Sequence, residues 1–312
     1  MSDDPVRAEF RATGSPAARL KALLSEDRVL VAPGVVDAMS ARLAARAGFE
    51  VLFATGAGIA NTQFGLPDLG FTTLSEVVER IRYIARAVDI PVIADADTGY
   101  GSAMNVVRTV RQLEDAGAAG IMLEDQVAPK RCGHFARKAV IDVDEMLQKI
   151  RAFLYARRDP QLVLMARTDA LAVHGLDEAI RRGQAFAKAG ADLVFVEAPT
   201  SHGQLARIAR SIAAPTVANM VEGGKTPLCS AAELGGMGFR VVLFANCLMR
   251  VAAVAMQDAL RVLRADGTSA ALMDRMLGWS ERQELVGLTE FEALESHLAT
   301  GTPAPEGPAR RL

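Results

Sequence analysis

Pro91-Val92-Ile93-Ala94 runs directly into Asp95-Ala96-Asp97-Thr98-Gly99-Tyr100-Gly101, and an amphipathic stretch follows from Asn105 to Ala116. After Gly117 comes the next apolar run, Gly120–Leu123, which ends in Glu124-Asp125-Gln126. An apolar run this short, without polar alternation, suits a parallel strand covered on both faces. The stretch after it carries apolar residues at three-to-four spacing with charges between, which predicts a helix packed on that strand. Glycine after the last helical residue supplies the left-handed conformation that ends a helix. This segment is therefore one strand–helix–strand unit with its acids at the strand ends.

The unit recurs along the chain. Apolar runs stand at Val29–Val31, Val51–Ala54, Pro91–Ala94, Gly120–Leu123, Leu162–Ala166, Leu193–Val196, Thr216–Ala218 and Val241–Phe244, eight in all. Helical stretches between them are Ala38–Ala47, Leu74–Val88, Asn105–Ala116, Val143–Ala156, Leu176–Ala187 and Ser201–Ile212, with Asn246–Leu263 after the eighth strand. Small-residue stops close several of them, at Ala47-Gly48, Ala116-Gly117 and Ala189-Gly190. The pattern predicts an α/β fold, a (β/α)8 TIM-type barrel over residues 29–265. A doubly wound open sheet is the alternative, because spacing does not prove closure. The barrel is preferred because no composition shift or long linker divides the eight units. Residues 1–28 form an N-terminal segment with one helix near Pro16–Leu24, and residues 266–299 read as C-terminal helices around Trp279. The Pro-, Gly- and Arg-rich tail 300–312 is expected to be disordered.

Bulk properties exclude several functions. The 312 residues are 50% hydrophobic and 23% charged with a formal charge of −2, so a nucleic-acid or anionic-membrane surface has no global electrostatic support. No apolar run is long enough for a membrane span, and residues 1–19 lack the continuous apolar stretch of a secretory signal. The three cysteines Cys132, Cys229 and Cys247 have no paired spacing, which points away from a disulfide framework and toward a reducing, cytoplasmic setting.

In such a barrel the active site lies at the C-terminal ends of the strands. Those ends carry Thr55-Gly56-Ala57, Asp95 with Asp97, Glu124, Arg167, Glu197, Asn219 and, past the last strand, Arg250. Asp95 and Asp97 start on one face, and Glu124 on the adjacent strand makes a third carboxylate. Hard oxygen donors that leave room for water and substrate suit Mg²⁺ or Mn²⁺. The plainer alternative is that these acids cap helices or pair with Arg167. A guanidinium at Arg167 could clamp a substrate carboxylate, or neutralise Glu124 and Glu197, or both. Lys130-Arg131-Cys132-Gly133-His134 follows strand four in a polar loop. A thiol beside two cations and a histidine is expected to have a lowered pKa and to serve as an acid or base near neutrality. Cys229 and Cys247 are expected to be small buried apolar residues. A nucleophilic Cys–His hydrolase is a further option, but no oxyanion-hole signature accompanies the pair.

These segments resemble the isocitrate lyase/phosphoenolpyruvate mutase superfamily. Lys130-Arg131-Cys132-Gly133-His134 looks like the lyase signature of that group. Leu66–Gly70, Asp95–Gly101, Leu123–Gln126, Ala166–Ala170 and Asn219–Leu228 occur around it in family order. The resemblance implies a Mg²⁺-dependent barrel lyase that cleaves a 2-hydroxy di- or tricarboxylic acid, such as 2-methylisocitrate, to an α-keto acid plus a carboxylic acid. By position, Asp95, Asp97 and Glu124 would hold the metal, and Cys132, Arg167 and His134 would be catalytic. Thr55, Gly56, Ala57, Asp68, Gly133, Glu197, Asn219 and Arg250 would bind the carboxylic acid substrate. Cys132 would protonate the departing aci-carboxylate. Alternatives within the resemblance are a 2,3-dimethylmalate lyase, an oxaloacetate hydrolase or decarboxylase, and a phosphonomutase. Phe53 stands where many of these lyases carry tyrosine, and Arg250 occupies the place of a substrate arginine in methylisocitrate lyases. The family also implies a homo-oligomer, a dimer of dimers.

Overall fold

The computed structural model describes residues 14–133 and 137–301. The expectations for His134, for residues 1–13 and for the tail beyond Gly301 lie outside the described residues. Eight parallel strands are present: β1 (Leu30–Val35), β2 (Leu52–Ala54), β3 (Val92–Asp95), β4 (Gly120–Glu124), β5 (Val163–Thr168), β6 (Leu193–Val196), β7 (Thr216–Asn219) and β8 (Phe239–Phe244). They form a closed barrel in chain order. Closure is made by β8 against β1, where Leu30 to Pro33 pair with Val241 to Phe244. That pairing rules out the open sheet.

Every helix read from the sequence is present within a few residues, and Gly48, Gly117 and Gly190 take the left-handed conformation required of them (φ 87, 98 and 106°). Ser15 caps the first helix, Pro16–Ser25, by accepting from Ala18 N at 3.1 Å, with Pro16 in the first turn where its missing N–H costs nothing. Three further α-helices among the described residues lie outside the helical stretches that the periodicity predicts. Gly56–Phe64 starts directly after β2, capped by Thr55, and Ala231–Met237 precedes β8 with a Ser230/Glu233 capping box. Glycines and Asn61, Thr62 in the first, and Gly235-Gly236 in the second, mask the helical pattern because glycine is a poor helix former. The four-residue helix Leu171–His174 is too short to have a periodicity.

Two apolar layers result from strand parity. Residues pointing outward, such as Ala94, Ile121, Leu123, Leu164, Ala166 and Val194, pack beneath the helices. Inward-pointing Phe53, Ile93, Met122, Val163, Met165, Leu193, Phe195, Val217, Val241 and Leu243 fill the barrel, with Leu20 of the first helix joining that interior cluster. Side chains two residues apart on a strand share a face. The same parity carries Thr55, Asp95, Glu124, Arg167, Glu197 and Asn219 onto the inner face at the C-terminal mouth. All but Asn219 are buried.

Candidate active site

Asp95 is locked on one side of the mouth. Its Oδ2 accepts from Gly56 N at 3.1 Å and its Oδ1 from Asp97 N at 3.1 Å. A Cβ at Gly56 would lie 2.8 Å from Asp95 Oδ2 and 3.5 Å from Asp97 Oδ1, so both carboxylates meet this glycine at the start of a nine-residue helix. The positive end of the helix dipole favours that negative charge. Asp97 itself has φ 47°, a left-handed conformation uncommon for a side-chain-bearing residue. Burial pushes its carboxyl up to about 6; Lys130 holds it down and Asp95 adds to the rise.

Lys130, expected from its place in the chain to be one of two cations beside the thiol, has different neighbours. Instead of flanking the thiol, its buried ammonium turns back to the acids, bonded to Asp68 and 2.8 Å from Asp97 Oδ1. Asp68 is thereby placed at the acid locus. Arg131 is exposed.

Glu124 is completely buried, and burial drives its carboxyl well above the usual carboxylate range, with Arg167 opposing the shift. Arg167 Nη1 stands 3.1 Å from Glu124 Oε2. Its Nε and Nη2 fork onto Asp169 at 2.9 and 3.2 Å, and Nε lies 4.0 Å from Glu197. The guanidinium carbon sits over the Phe195 ring at 5.4 Å. Burial tends to raise the Asp169 carboxyl, but Arg167 and Lys138 outweigh it and hold it below its ordinary value. Arg167 is therefore a neutralising partner of buried acids, as the plainer sequence alternative held. Asp169, like Lys138, was not assigned from sequence.

The thiol loop is brought onto this cluster. Cys132 is half-buried and its N–H donates to Asp68 O at 3.1 Å. A Cβ at Gly133 would fall 2.1 Å from Glu197 Oε1 and 2.6 Å from Arg167 Nη2. Only glycine lets the loop descend so far into the mouth. Cys132 is thus next in chain to a residue in contact with both Arg167 and Glu197.

The expectations for Asn219, Arg250 and the other two cysteines divide. Asn219 ends β7 with its Oδ1 buried and without a hydrogen bond, at the mouth as predicted. Arg250 is half-exposed and donates to Glu222 O at 2.5 Å, with Glu222 Oε2 at 3.5 Å, so it pairs with the Met220–Leu228 segment and not with the rim acids. Cys229 is buried as expected, whereas Cys247 is only partly buried at a helix start.

The three metal-candidate carboxylates do not close into a ready-made cage: among the described residues no group of three or more His, Cys, Asp or Glu side chains stands close enough to hold an ion. Lys130 and Arg167 stand beside them instead. The donor set nevertheless fits a hard divalent cation, being all oxygen: Glu124 Oε1 is buried without a hydrogen bond, while Asp97 Oδ1 and Glu124 Oε2 face Lys130 and Arg167 at 2.8 and 3.1 Å. A buried carboxylate oxygen left without a partner is costly unless a cation completes it.

Buried acids, an arginine and a thiol loop converge at the C-terminal mouth of a closed (β/α)8 barrel, where barrel enzymes carry their active sites, and the named relatives that follow are carbon–carbon lyases. The model of the phosphoenolpyruvate phosphomutase family matches residues 20–264. The chain is 45% identical over 285 residues to 2,3-dimethylmalate lyase of Eubacterium barkeri, covering 91% of this chain and 99% of that protein. It is 42% identical over 284 residues to 2-methylisocitrate lyase of Aeropyrum pernix, covering 91% of each. Among solved structures, oxaloacetate acetylhydrolase in complex with 3,3-difluorooxalacetate superposes with a TM-score of 0.86 at 37% identity, covering 93% of this chain and 99% of the other. The chain belongs to the phosphoenolpyruvate mutase/isocitrate lyase superfamily.

Proposed function

We propose that this lyase cleaves the C–C bond of a small 2-hydroxy di- or tricarboxylic acid, releasing an α-keto acid and a carboxylic acid, with Mg²⁺ as cofactor. The observation that carries the reading is the seating of Gly133 against Arg167 and Glu197, which brings Cys132 to the mouth where the buried acids converge. Asp95, Asp97 and Glu124 would hold the ion; when bound it supplies Lewis-acid stabilisation of the substrate's oxygens. The remaining steps belong to this chain's side chains. Arg167, its Nε/Nη2 edge held and oriented by Asp169 and its Nη1 beside Glu124, offers the positive charge of its guanidinium to a substrate carboxylate at the mouth. The hydroxyl proton leaves to solvent, the alkoxide becomes the keto group as the C2–C3 bond breaks, and that bond's electron pair passes to the leaving acid as an aci-carboxylate. Cys132 gives that carbanion a proton from Sγ and is left as a thiolate, which is reprotonated from solvent. The loop seated on Arg167 and Glu197 keeps bulk water from competing with the thiol.

A 2,3-dimethylmalate-type dicarboxylate is the second reading. Arg250, the residue that would receive an extra carboxylate, is engaged by Glu222. A panel of 2-methylisocitrate, isocitrate, 2,3-dimethylmalate, oxaloacetate and phosphonopyruvate, each with Mg²⁺ and keto-acid detection, decides between them. Turnover of phosphonopyruvate alone would overturn the lyase assignment to hydroxy acids.

A homo-oligomer, a dimer of dimers, belongs to the same proposal. The 20-residue helix Cys247–Asp266 has no buried residue, and Val251, Val254, Met256 and Leu260 are 57–65% exposed. An apolar face of this kind is usually covered by a partner, here a second copy. Light scattering that returns a monomer at micromolar concentration would refute it. A working thiol also suits a reducing, cytoplasmic location; among the described residues no helix is long and apolar enough to cross a membrane.

A further inference from the structure

Consecutive backbone groups around the thiol are each held by the barrel. Arg131 N donates to Gln126 Oε1 at 3.0 Å, and Gln126 Nε2 donates back to Arg131 O at 2.8 Å. Cys132 N donates to Asp68 O at 3.1 Å. On the far side, Lys138 Nζ donates to Gly133 O at 2.5 Å and to Asp169 Oδ1 at 2.6 Å. Gln126 and the Lys138 side chain are each 1% exposed.

We propose that Gln126 and Lys138 are the positioning residues of the Cys132 thiol, an inference that rests on reading Cys132 as the proton donor. A primary amide donates and accepts at once, so Gln126 pairs with both backbone groups of Arg131 as a neighbouring strand would. It fixes the residue before the thiol without adding charge. Lys138 fixes the residue after it. A buried ammonium is costly unless its protons are satisfied, and here Asp169 and the Gly133 carbonyl satisfy two of them. Asp169 is the same carboxylate that receives the Arg167 fork. Lys138 therefore ties the thiol loop and the substrate-facing arginine to one carboxylate. Asp169 is anchored in turn by its own N–H on Asp125 Oδ1 at 2.9 Å, and Asp125 accepts from buried Arg182 at 2.9 Å. Proton donor and guanidinium thus share one rigid frame reaching into the helix Leu176–Lys188. A misplacement of about 1 Å at a reacting group can cost about 100-fold in rate, which is the scale of effect such a frame controls.

The test uses full-length Lys138→Met, Lys138→Arg and Gln126→Glu, with two readouts. In turnover, Lys138→Met and Gln126→Glu should lose about 100-fold in kcat while KM stays within about threefold, and Lys138→Arg should recover part of kcat. In the second readout, alkylation of Cys132 by iodoacetamide, followed peptide by peptide, should quicken about tenfold in both variants as the loop is released. Wild-type kcat and wild-type labelling in both would overturn the proposal. So would a kcat loss with unchanged Cys132 labelling, which would mark a general structural role. If Lys138→Met also labels buried Cys229, that variant has unfolded and Gln126→Glu alone decides. Labelling needs no substrate, so released Cys132 in a chain without lyase turnover would refute the reaction and leave the positioning intact.

Discussion

Gly133→Ala is the sharpest perturbation of the thiol loop. The added Cβ would stand 2.1 Å from Glu197 Oε1, 1.3 Å short of the 3.4 Å at which ordinary contact begins, and 2.6 Å from Arg167 Nη2. Neither neighbour can swing aside freely. Glu197 is 2% exposed, and Arg167 is tied to Asp169 and Glu124. The loop must therefore rise by about 1 Å, carrying Cys132 away from the mouth. Displacing a proton donor by that distance is expected to cost about 100-fold in kcat/KM, equivalent to about 2.7 kcal/mol in the activation barrier. The fold should suffer less, by about 1–2 kcal/mol, because the strain falls on a loop that can lift and not on the barrel core. Steady-state kinetics with the best acid of the panel and a thermal melt measure the two effects. Gly236→Ala is the control: nothing lies within 4 Å of its Cβ, and it sits inside a helix that alanine favours. Gly133→Ala with wild-type kcat/KM would refute the claim that the loop's descent onto Glu197 and Arg167 matters for turnover.

Other outcomes follow from the same geometry. Cys132→Ser should keep the melting temperature and metal binding but lose most lyase turnover, because a hydroxyl is a far weaker acid than a thiol; wild-type turnover would remove Cys132 from its assigned role. Mg²⁺ at about 100 times its Kd should stabilise the protein by about 2.7 kcal/mol, read as a rise in Tm, and Asp95→Asn or Asp97→Asn should abolish the rise; an equal rise in those variants would move the ion elsewhere. The Glu178 carboxyl is held down to about 2, chiefly by its hydrogen bond from Arg181 and also by Arg182, against the opposing effect of burial. Its stabilisation is therefore fully present above pH 4.5 and is lost as pH falls toward 2. Glu178→Gln should cost about 1 kcal/mol at pH 7 after allowance for solvent screening, and should flatten the acid limb of the stability curve between about pH 5 and 2. An unchanged acid limb would show that these ion pairs contribute nothing.

Strand parity explains how much of the site could be read in advance. Once Ile93, Met122, Met165 and Phe195 are taken as inward-facing, Asp95, Glu124, Arg167 and Glu197 must follow them onto the same face two residues later. No tertiary information is needed for that step. The thiol loop could be singled out by its composition alone, but the direction of Lys130 could not. In sequence it is followed by Arg131 and Cys132, whereas in space it stands beside Asp68 and Asp97. Arg250 shows the same limit, since its engagement with Glu222 depends on where the Met220–Leu228 segment passes the helix Cys247–Asp266.

The sequence by itself determined the repeating unit, the polarity of the strand ends and the residue types that reach the mouth, because these depend on local periodicity. Only the tertiary structure decided that the sheet closes, through β8 on β1. It alone decided which cation answers which acid, and that Gln126 and Lys138 clamp the backbone on either side of Cys132. Those pairings join residues brought together by loop paths and barrel closure. Charge compensation between buried groups is set by distance in space and by desolvation, and the order of residues along the chain carries neither.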